Sequence, residues 1–174
     1  MATSGTTVFT MTRDDIIGAA LRGLHVYGPT DTIPSADITY CAQALNIVCK
    51  SLATKGALIW TISEVLVPTV AGNATYQIGP TATGTGAVVT NRPMRINNAY
   101  IRDSYGNDQE LQITSRYEYD QLGQKTSSGQ PNQMFYDPQL TNGIITLYNV
   151  PADSLSTVHL VSKRQVQDFN LSTD

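Results

Sequence analysis

The sequence contains few charged residues and few histidines, and each shortage argues against a class of site. Only 14% of its 174 residues are charged and its net charge is −3, whereas about a quarter of the residues are charged in an ordinary globular protein. Nothing in this balance resembles a basic nucleic-acid-binding domain. The two histidines, His25 and His159, stand apart from any Cys/His/Asp pattern, so structural roles are favoured over metal binding. We predict no metal and no cofactor.

Cysteine is also scarce, which bears on disulfide bonds and on the compartment of synthesis. Cys41 and Cys49 fall in one predicted helix, about 12 Å apart along its axis. Because a disulfide spans roughly 7 Å at most between Cα atoms, we expect reduced thiols and synthesis in a cytoplasm. The first residues do not form a basic segment followed by an apolar stretch, so no signal peptide is predicted. No uncharged apolar run reaches membrane-spanning length.

Sequence motifs of common enzymes are missing as well. There is no CxxC, HExxH, G-x-S-x-G or P-loop pattern, and the glycines of residues 79–86 lack the Lys-Thr pair of a phosphate loop. Each carboxylate that could form a hydrolase pair has a simpler role as a turn former, helix cap or strand surface. Glu118 and Asp120, for example, lie two apart in a predicted helix and do not face each other. We therefore predict that the chain is not an enzyme.

The first third of the chain is predicted to begin with an amphipathic helix over residues 13–27. Thr12 is a suitable N-cap, and Asp15 occupies the third helical position, where the helix dipole favours an acid. Gly28 followed by Pro29 predicts where the helix ends.

A second helix is predicted to begin after Ser35 and to end at Gly56. The two helices, joined by a short loop, form a helical hairpin. The helical spacing of their apolar residues predicts one buried cluster with the segment that follows, made of Leu21, Leu24, Leu45, Val48, Leu52 and Trp60. We expect Leu45→Ala to be costly if that site is fully buried.

The rest of the sequence is organised around a predicted β-hairpin. Residues 133–136 and 144–150 are rich in strand-forming side chains. The turn DPQLTNG separates them and contains an Asn142-Gly143 pair, which accommodates positive φ. Pro151 is predicted to end the second strand because it has no N–H for the ladder.

Further strands are predicted on both sides of this hairpin, with one short helix among them. Ser115 and Glu118 form a capping box for that helix. The predicted strands cover residues 58–70, 75–78, 93–102, 109–113 and 157–163. Residues 79–92 are Gly- and Thr-rich and are predicted to be a flexible excursion or an irregular arm rather than a core element. Residues 123–131 are predicted to be a second loop, and both loops to be ordered mainly by other chains.

The predicted fold class is α+β. An N-terminal arm and helical hairpin occupy residues 1–57, and a small antiparallel β domain, either a sandwich or an open barrel, occupies residues 58–174. We expect the two parts to form one compact subunit.

Candidate interface residues come from the aromatic and basic side chains of the β half. Tyrosine is enriched at protein interfaces, although such side chains also serve as domain core and solvated surface. The basic residues are scattered, but a ring would repeat each of them around an axis. The candidates are Arg92, Arg95, Arg116, Tyr117, Lys125, Phe135 and Tyr136.

Several separated segments between Phe9 and Phe169 together resemble a known family. They are FTMTRDDIIGAALRGLHVYG, ALNIVCKSLATKGALIWT, YQIG, RPMRINNAYIRD, ITSRYEYDQLGQKTSSGQPNQMFYDPQLTNGIITLYNVP and KRQVQDF. In their order and spacing they resemble the head-to-tail adaptor (connector) proteins of tailed bacteriophages. Relatives of this kind usually continue into C-terminal helices that pack on the hairpin. Here the sheet, a further helix or a neighbouring subunit is expected to cover the first two helices.

The resemblance implies a virion protein at the head-tail junction, made in the cytoplasm of a bacterial host. It implies a ring, usually of twelve subunits, that docks under the portal protein and binds a tail or nozzle protein below. Double-stranded DNA would pass through the lumen without sequence-specific binding. We expect at most one or two basic residues per subunit to face the lumen. The alternative is a carbohydrate- or receptor-binding β module of a phage tail or capsid.

Overall fold

The computed structural model describes residues 11–55, 62–165 and 168. Helices come first and strands follow, so the predicted α+β class is confirmed. The chain divides into two compact units. One comprises residues 1–57 and 166–174, and the other comprises residues 58–165.

The first helix, α1, spans Arg13–Gly23 and begins as the sequence predicts. The Thr12 hydroxyl accepts a hydrogen bond from the Asp15 amide at 3.2 Å, and the Asp15 carboxylate accepts one from the Thr12 amide at 3.1 Å. The predicted end at Gly28 is wrong. The chain leaves the helix four residues earlier because His25 adopts a left-handed conformation, with φ 58°.

The second helix, α2, spans Ser35–Thr54. The described part of the helical unit buries little apolar surface. Ile17 and Ala42 are its buried hydrophobic residues among those described. The predicted leucine-rich cluster is wrong in part, because Leu24, Val48 and Leu52 are 73%, 52% and 38% exposed. The early end of α1 places Leu24 beyond the last helical residue, and α2 buries an alanine instead of its larger residues. Leu21 and Leu45 are half-buried, and Trp60 lies outside the described residues.

The second unit is built of short strands and one helix. The strands are β1 Ile62–Pro68, β2 Thr75–Gly79, β3 Val88–Val89, β4 Pro93–Arg102, β5 Asp108–Glu110, β6 Gln112–Thr114, β7 Ser128–Gly129, β8 Gln133–Asp137, β9 Gly143–Tyr148, β10 Val150–Pro151 and β11 Thr157–Arg164. The helix, α3, spans Arg116–Gln121, and the predicted capping box of Ser115 and Glu118 is present.

Two larger sheets and one small sheet result. The four-stranded sheet has the order β1-β11-β4-β5 and is antiparallel throughout. The five-stranded sheet has the order β3-β2-β9-β8-β6. Its two outer strands each run parallel to their neighbour, β3 to β2 and β6 to β8. Strands β7 and β10 form a parallel pair of their own.

The prediction of one continuous strand over residues 109–113 is wrong, because the chain changes sheets at Leu111. The Leu111 amide still donates to the Ala99 carbonyl of β4, whereas the next amide, that of Gln112, donates to the Asn132 carbonyl. Strand β5 therefore belongs to the four-stranded sheet and β6 to the five-stranded sheet. Leu111 itself is buried at this crossing.

The predicted hairpin is confirmed as β8 and β9, which pair in antiparallel register from Gln133↔Tyr148 to Asp137↔Ile144. The turn differs in detail, since Thr141 supplies the positive φ of 73°. Gly143 is needed for a different reason: a Cβ there would lie 2.6 Å from Cε2 of the Tyr136 ring. Pro151 does not end β9, which stops at Tyr148.

The core of this unit contains residues from both larger sheets, as in a sandwich. Their alternation along each strand directs one set of side chains inward. The core residues are Val65, Val67, Tyr76, Ile78, Ile96, Ala99, Ile101, Leu111, Met134, Ile145, Leu147, Val158 and Leu160.

Residues 79–92 are tied to this unit by hydrogen bonds of the same chain. The Thr81 amide donates to the Asn142 side chain at 3.2 Å, and the Thr83 amide donates to the Gln77 side chain at 3.2 Å. Ala82 is buried and β3 lies within the stretch. The prediction that this segment contributes nothing to the core is therefore wrong for Ala82.

Candidate interaction surfaces

Three of the predicted interface residues meet where α3 packs on β8. The Arg116 guanidinium carbon lies 5.6 Å from the centre of the Phe135 ring, and that ring stacks against Tyr119 at 6.0 Å. Lys125 Nζ lies 5.1 Å from the centre of the Tyr119 ring. The capping box starts α3 at the point that places Arg116 and Tyr119 on the same helical face. The result is a row of two stacked aromatic rings with a cation at each end.

Two carboxylates neutralise this row. Asp120 lies 3.4 Å from Arg116 Nε and 3.7 Å from Lys125 Nζ, and Asp137 lies 3.7 Å from Arg116 Nη1. Exposed ion pairs of this kind contribute little to stability, about 0–1 kcal/mol each. They do remove free positive charge from the surface, so the row suits contact with a neutral, aromatic-binding partner better than binding of phosphate.

Tyr117 and Tyr136 take different positions. Tyr117 is 73% exposed on α3. Tyr136 is half-buried in β8, and its hydroxyl donates to the Pro93 carbonyl at 2.5 Å. Burial raises the pKa of Tyr136 to about 12. Tyr136 therefore fastens β8 to the start of β4, while Tyr117 is free to contact a partner.

A groove of about 420 Å³ opens beside Tyr136. The two remaining predicted interface residues, Arg92 and Arg95, lie at this groove. Arg95 lines it, and Arg92 donates to the carbonyl of Pro138, another lining residue, at 3.0 Å. Met94 and Ile113 also line the groove and are each 39% exposed. This groove combines apolar walls with cations.

No protein-family model matches this chain, and no curated protein is significantly similar to it. The chemistry of the exposed surfaces is therefore the guide to its function.

A polar cluster on the four-stranded sheet was missed at the sequence level. Glu64 Oε1 accepts a hydrogen bond from the Tyr100 hydroxyl at 2.7 Å and lies 2.7 Å from His159 Nδ1. The Tyr100 and His159 rings stack with centres 4.6 Å apart. These hydrogen bonds, first that of Tyr100 and then that of His159, hold the pKa of Glu64 below its ordinary value. No local motif signals the cluster, because strand pairing alone joins residues so far apart in the chain.

The same sheet carries a strong ion pair next to this cluster. Arg102 donates to both carboxylate oxygens of Asp108, at 2.6 and 2.7 Å, and its guanidinium carbon lies 5.6 Å from the Tyr100 ring centre. The bidentate contact lowers the pKa of Asp108. Arg102 is thereby paired with a carboxylate of its own chain.

The helical unit presents a third surface, which is apolar. Its exposed large hydrophobic residues are Met11 (40%), Ile16 (41%), Leu24 (73%), Val26 (61%), Tyr40 (74%), Ile47 (70%), Val48 (52%) and Leu52 (38%). Tyr40, Ile47 and Val48 lie on one side of α2 at helical spacing, so this side of the helix is a candidate interaction surface.

Candidate metal and redox sites were also sought. Among the described residues, no three His, Cys, Asp or Glu side chains are arranged to hold a metal ion. Cys41 and Cys49 are free thiols. Within the described ranges, none of the helices has the length and apolar character needed to cross a membrane.

Proposed function

We propose that this chain is the subunit of a head-to-tail adaptor ring of a tailed bacteriophage, a structural component of the virion. The ring docks under the portal protein, binds a tail or nozzle protein and forms part of the DNA channel. The observation that carries this proposal is the exposed apolar surface of α1 and α2, taken together with the resemblance of the sequence segments.

The physical argument concerns how the helical unit is stabilised. Helices in proteins gain most of their stability from packing of an apolar face, and buried apolar area contributes about 25 cal/mol per Å². In α1 and α2, Ile17 and Ala42 are buried, while larger residues such as Ile47 and Tyr40 are exposed. A second surface is needed to cover them, and in a ring the neighbouring subunits supply it.

Three of the seven cations in the described part of the β domain are already paired. Arg102, Arg116 and Lys125 each contact a carboxylate of the same chain. With the other four held at contacts between subunits, the channel surface offers DNA few free cations, so that phosphate binding and the accompanying counterion release stay small. Low affinity lets DNA pass through without being held.

The test is a charge placed on the exposed helical face. Ile47→Glu should leave the isolated subunit folded and should abolish ring formation, as seen by mass photometry and negative-stain microscopy with and without the portal protein of the same virus. Gln43→Glu is the matched control, since Gln43 is an exposed polar residue of the same helix, and rings should persist. A wild-type chain that stays at 18.8 kDa under both conditions would contradict the proposal.

The alternative function, a carbohydrate-binding module, has one observation in its favour. A cleft of about 250 Å³ is lined by Asp103, Asp153, Gln130 and Tyr105, and the Tyr105 ring is 90% exposed. Glycan binding by a monomeric chain, lost in Tyr105→Ala, would favour this alternative over the ring.

A further inference from the structure

One end of the four-stranded sheet is basic. Four cations lie there, two at the start of β4 and two at the end of β11: Arg92, Arg95, Lys163 and Arg164. The antiparallel register places Arg95 directly opposite Lys163, and Arg164 opposite Pro93. Among the described residues, none of the four forms an ion pair with a carboxylate.

The direct pairing of Arg95 with Lys163 is unfavourable within one chain. Like charges opposite each other on neighbouring strands destabilise a sheet. A carboxylate from outside the chain would remove that repulsion. The adjacent groove adds apolar walls, including Met94 and Ile113, so the partner that fits carries carboxylates beside apolar side chains.

The opposite end of the same sheet has this complementary chemistry. Asp103 and Tyr105 follow β4, Asp153 and Leu155 precede β11, and all four line one cleft. Tyr105 is 90% exposed and Leu155 is 69% exposed. Carboxylates and apolar side chains thus stand together at this end.

Among the described residues, Asp103 and Asp153 form no ion pair. Hydrogen bonds from Asn107, and then from the backbone amide of Tyr105, hold the pKa of Asp103 below its ordinary value, so its carboxylate is ionised near neutral pH. Arg102, which precedes Asp103 in the chain, is paired with Asp108. The four-stranded sheet therefore carries negative charge at one end of its strands and positive charge at the other.

The two ends cannot neutralise each other within one copy. Strand β4 has 10 residues, and at about 3.4 Å per residue its ends lie roughly 30 Å apart. Charges in physiological salt are screened beyond about 8 Å. A protein complement to either end therefore lies on another molecule.

We propose that copies of this chain associate head to tail, with the acidic end of one β domain docked on the basic groove of the next. This inference rests on the proposed ring function and specifies its contact. A heterologous contact of this kind generates a closed ring when its rotation closes. Double-stranded DNA would also meet the cations, but it offers no apolar side chains for Met94 and Ile113, so a second copy is the better fit.

The experiment is a charge swap across the contact. Arg95→Glu and Asp153→Lys should each weaken self-association roughly tenfold or more, because each sets like charges against each other. Arg95→Gln and Asp153→Asn, which remove charge without reversing it, should have smaller effects. A mixture of Arg95→Glu and Asp153→Lys subunits should assemble again, since every contact in an alternating ring then joins opposite charges.

The outcomes separate this inference from the proposed function. If the wild-type chain forms no oligomer, alone or with the portal protein, both fail. If wild-type rings form and the two charge-reversed variants form them equally well, the head-to-tail contact is wrong while the ring function stands. Normal rings of Arg95→Glu combined with weaker, salt-dependent binding to double-stranded DNA would assign the basic end to DNA and also overturn the inference. Restored assembly in the mixture excludes misfolding as the cause of the single-variant losses.

Discussion

The helical unit and the β unit of this chain are stabilised in different ways. The β unit buries thirteen residues in one core cluster, whereas Ile17 and Ala42 are the buried hydrophobic residues of the helical unit in the part of the chain that the structure describes. The helical unit exposes a set of large apolar residues instead. The comparison indicates that the β unit has a core of its own, while the described part of the helical unit buries little apolar surface.

The largest expected difference between the units comes from core truncation. Leu160 is fully buried in β11, so Leu160→Ala should lower the free energy of unfolding by about 2–5 kcal/mol. Leu45 is only half-buried in α2, and Leu45→Ala should cost clearly less in the unassembled chain. Urea titration measures the free energy of unfolding of each variant. Equal losses at the two sites would show that the helical unit has a core as tight as that of the β unit.

The next largest loss of stability is expected where backbone segments of the β unit pack closely, at Gly79. A Cβ at Gly79 would lie 2.8 Å from the Thr141 carbonyl oxygen and 2.8 Å from Asn142 Cα. Gly79→Ala should therefore cost about 1–3 kcal/mol, the range for overpacking. Gly123→Ala is the control, because nothing lies within 4 Å of the added atom. The midpoint of thermal unfolding is measured for both variants. An unchanged midpoint for Gly79→Ala would show that the backbone does not pack tightly around Gly79.

A smaller effect should appear with pH at the Glu64 cluster. The pKa of Glu64 is lower in the folded chain than its ordinary value of 4.5. Its ionised form therefore stabilises the fold above about pH 4.5, and this contribution is lost as the pH falls through the folded value. The difference in unfolding free energy between wild type and Glu64→Gln should be constant near neutral pH and shrink under acid.

The hydroxyl of Tyr100 provides the control for that titration. Tyr100→Phe keeps the carboxylate and removes the first hydrogen bond that lowers its pKa. The acid-dependent loss should then move toward pH 4.5. If the wild-type and Tyr100→Phe titrations coincide, the hydrogen bond does not set the pKa of Glu64.

The smallest effect is local and separates two loops of the β unit. Amides of residues 79–92 donate to groups of the same chain, as those of Thr81 and Thr83 do. In residues 123–130, Ser128 and Gly129 pair with β10 and the Ser127 amide donates to the Gln124 carbonyl, whereas residues 123–126 are exposed. Hydrogen exchange of the unassembled chain should thus be slower in the first loop, while the second should slow on assembly. Similar fast exchange in both would restore the expectation that other chains order both loops.

Local signals in the sequence predicted the parts of the fold that depend on neighbouring residues. Thr12 with Asp15 and Ser115 with Glu118 are three positions apart, and both capping boxes are present. His25 was not foreseen as a helix end, because a left-handed non-glycine residue has no strong sequence signature.

Features that depend on distant pairing were not predictable in this way. The change of sheet at Leu111 is invisible in a segment that alternates as one strand would. The basic end is a similar case, since Arg95 and Lys163 become neighbours only through the pairing of β4 with β11. The candidate residues Arg92 and Arg95 were therefore named without the two cations that complete their surface.

The position of β11 in its sheet has a consequence for how the chain folds during synthesis. It is the last described strand of the sequence, yet it lies between β1 and β4 and pairs with both. A nascent chain on the ribosome carries β1 and β4 with no strand between them until residues 157–164 emerge. Such long-range pairing slows folding and leaves strand edges open to other nascent chains. Chaperone binding should therefore be strongest just before β11 is released.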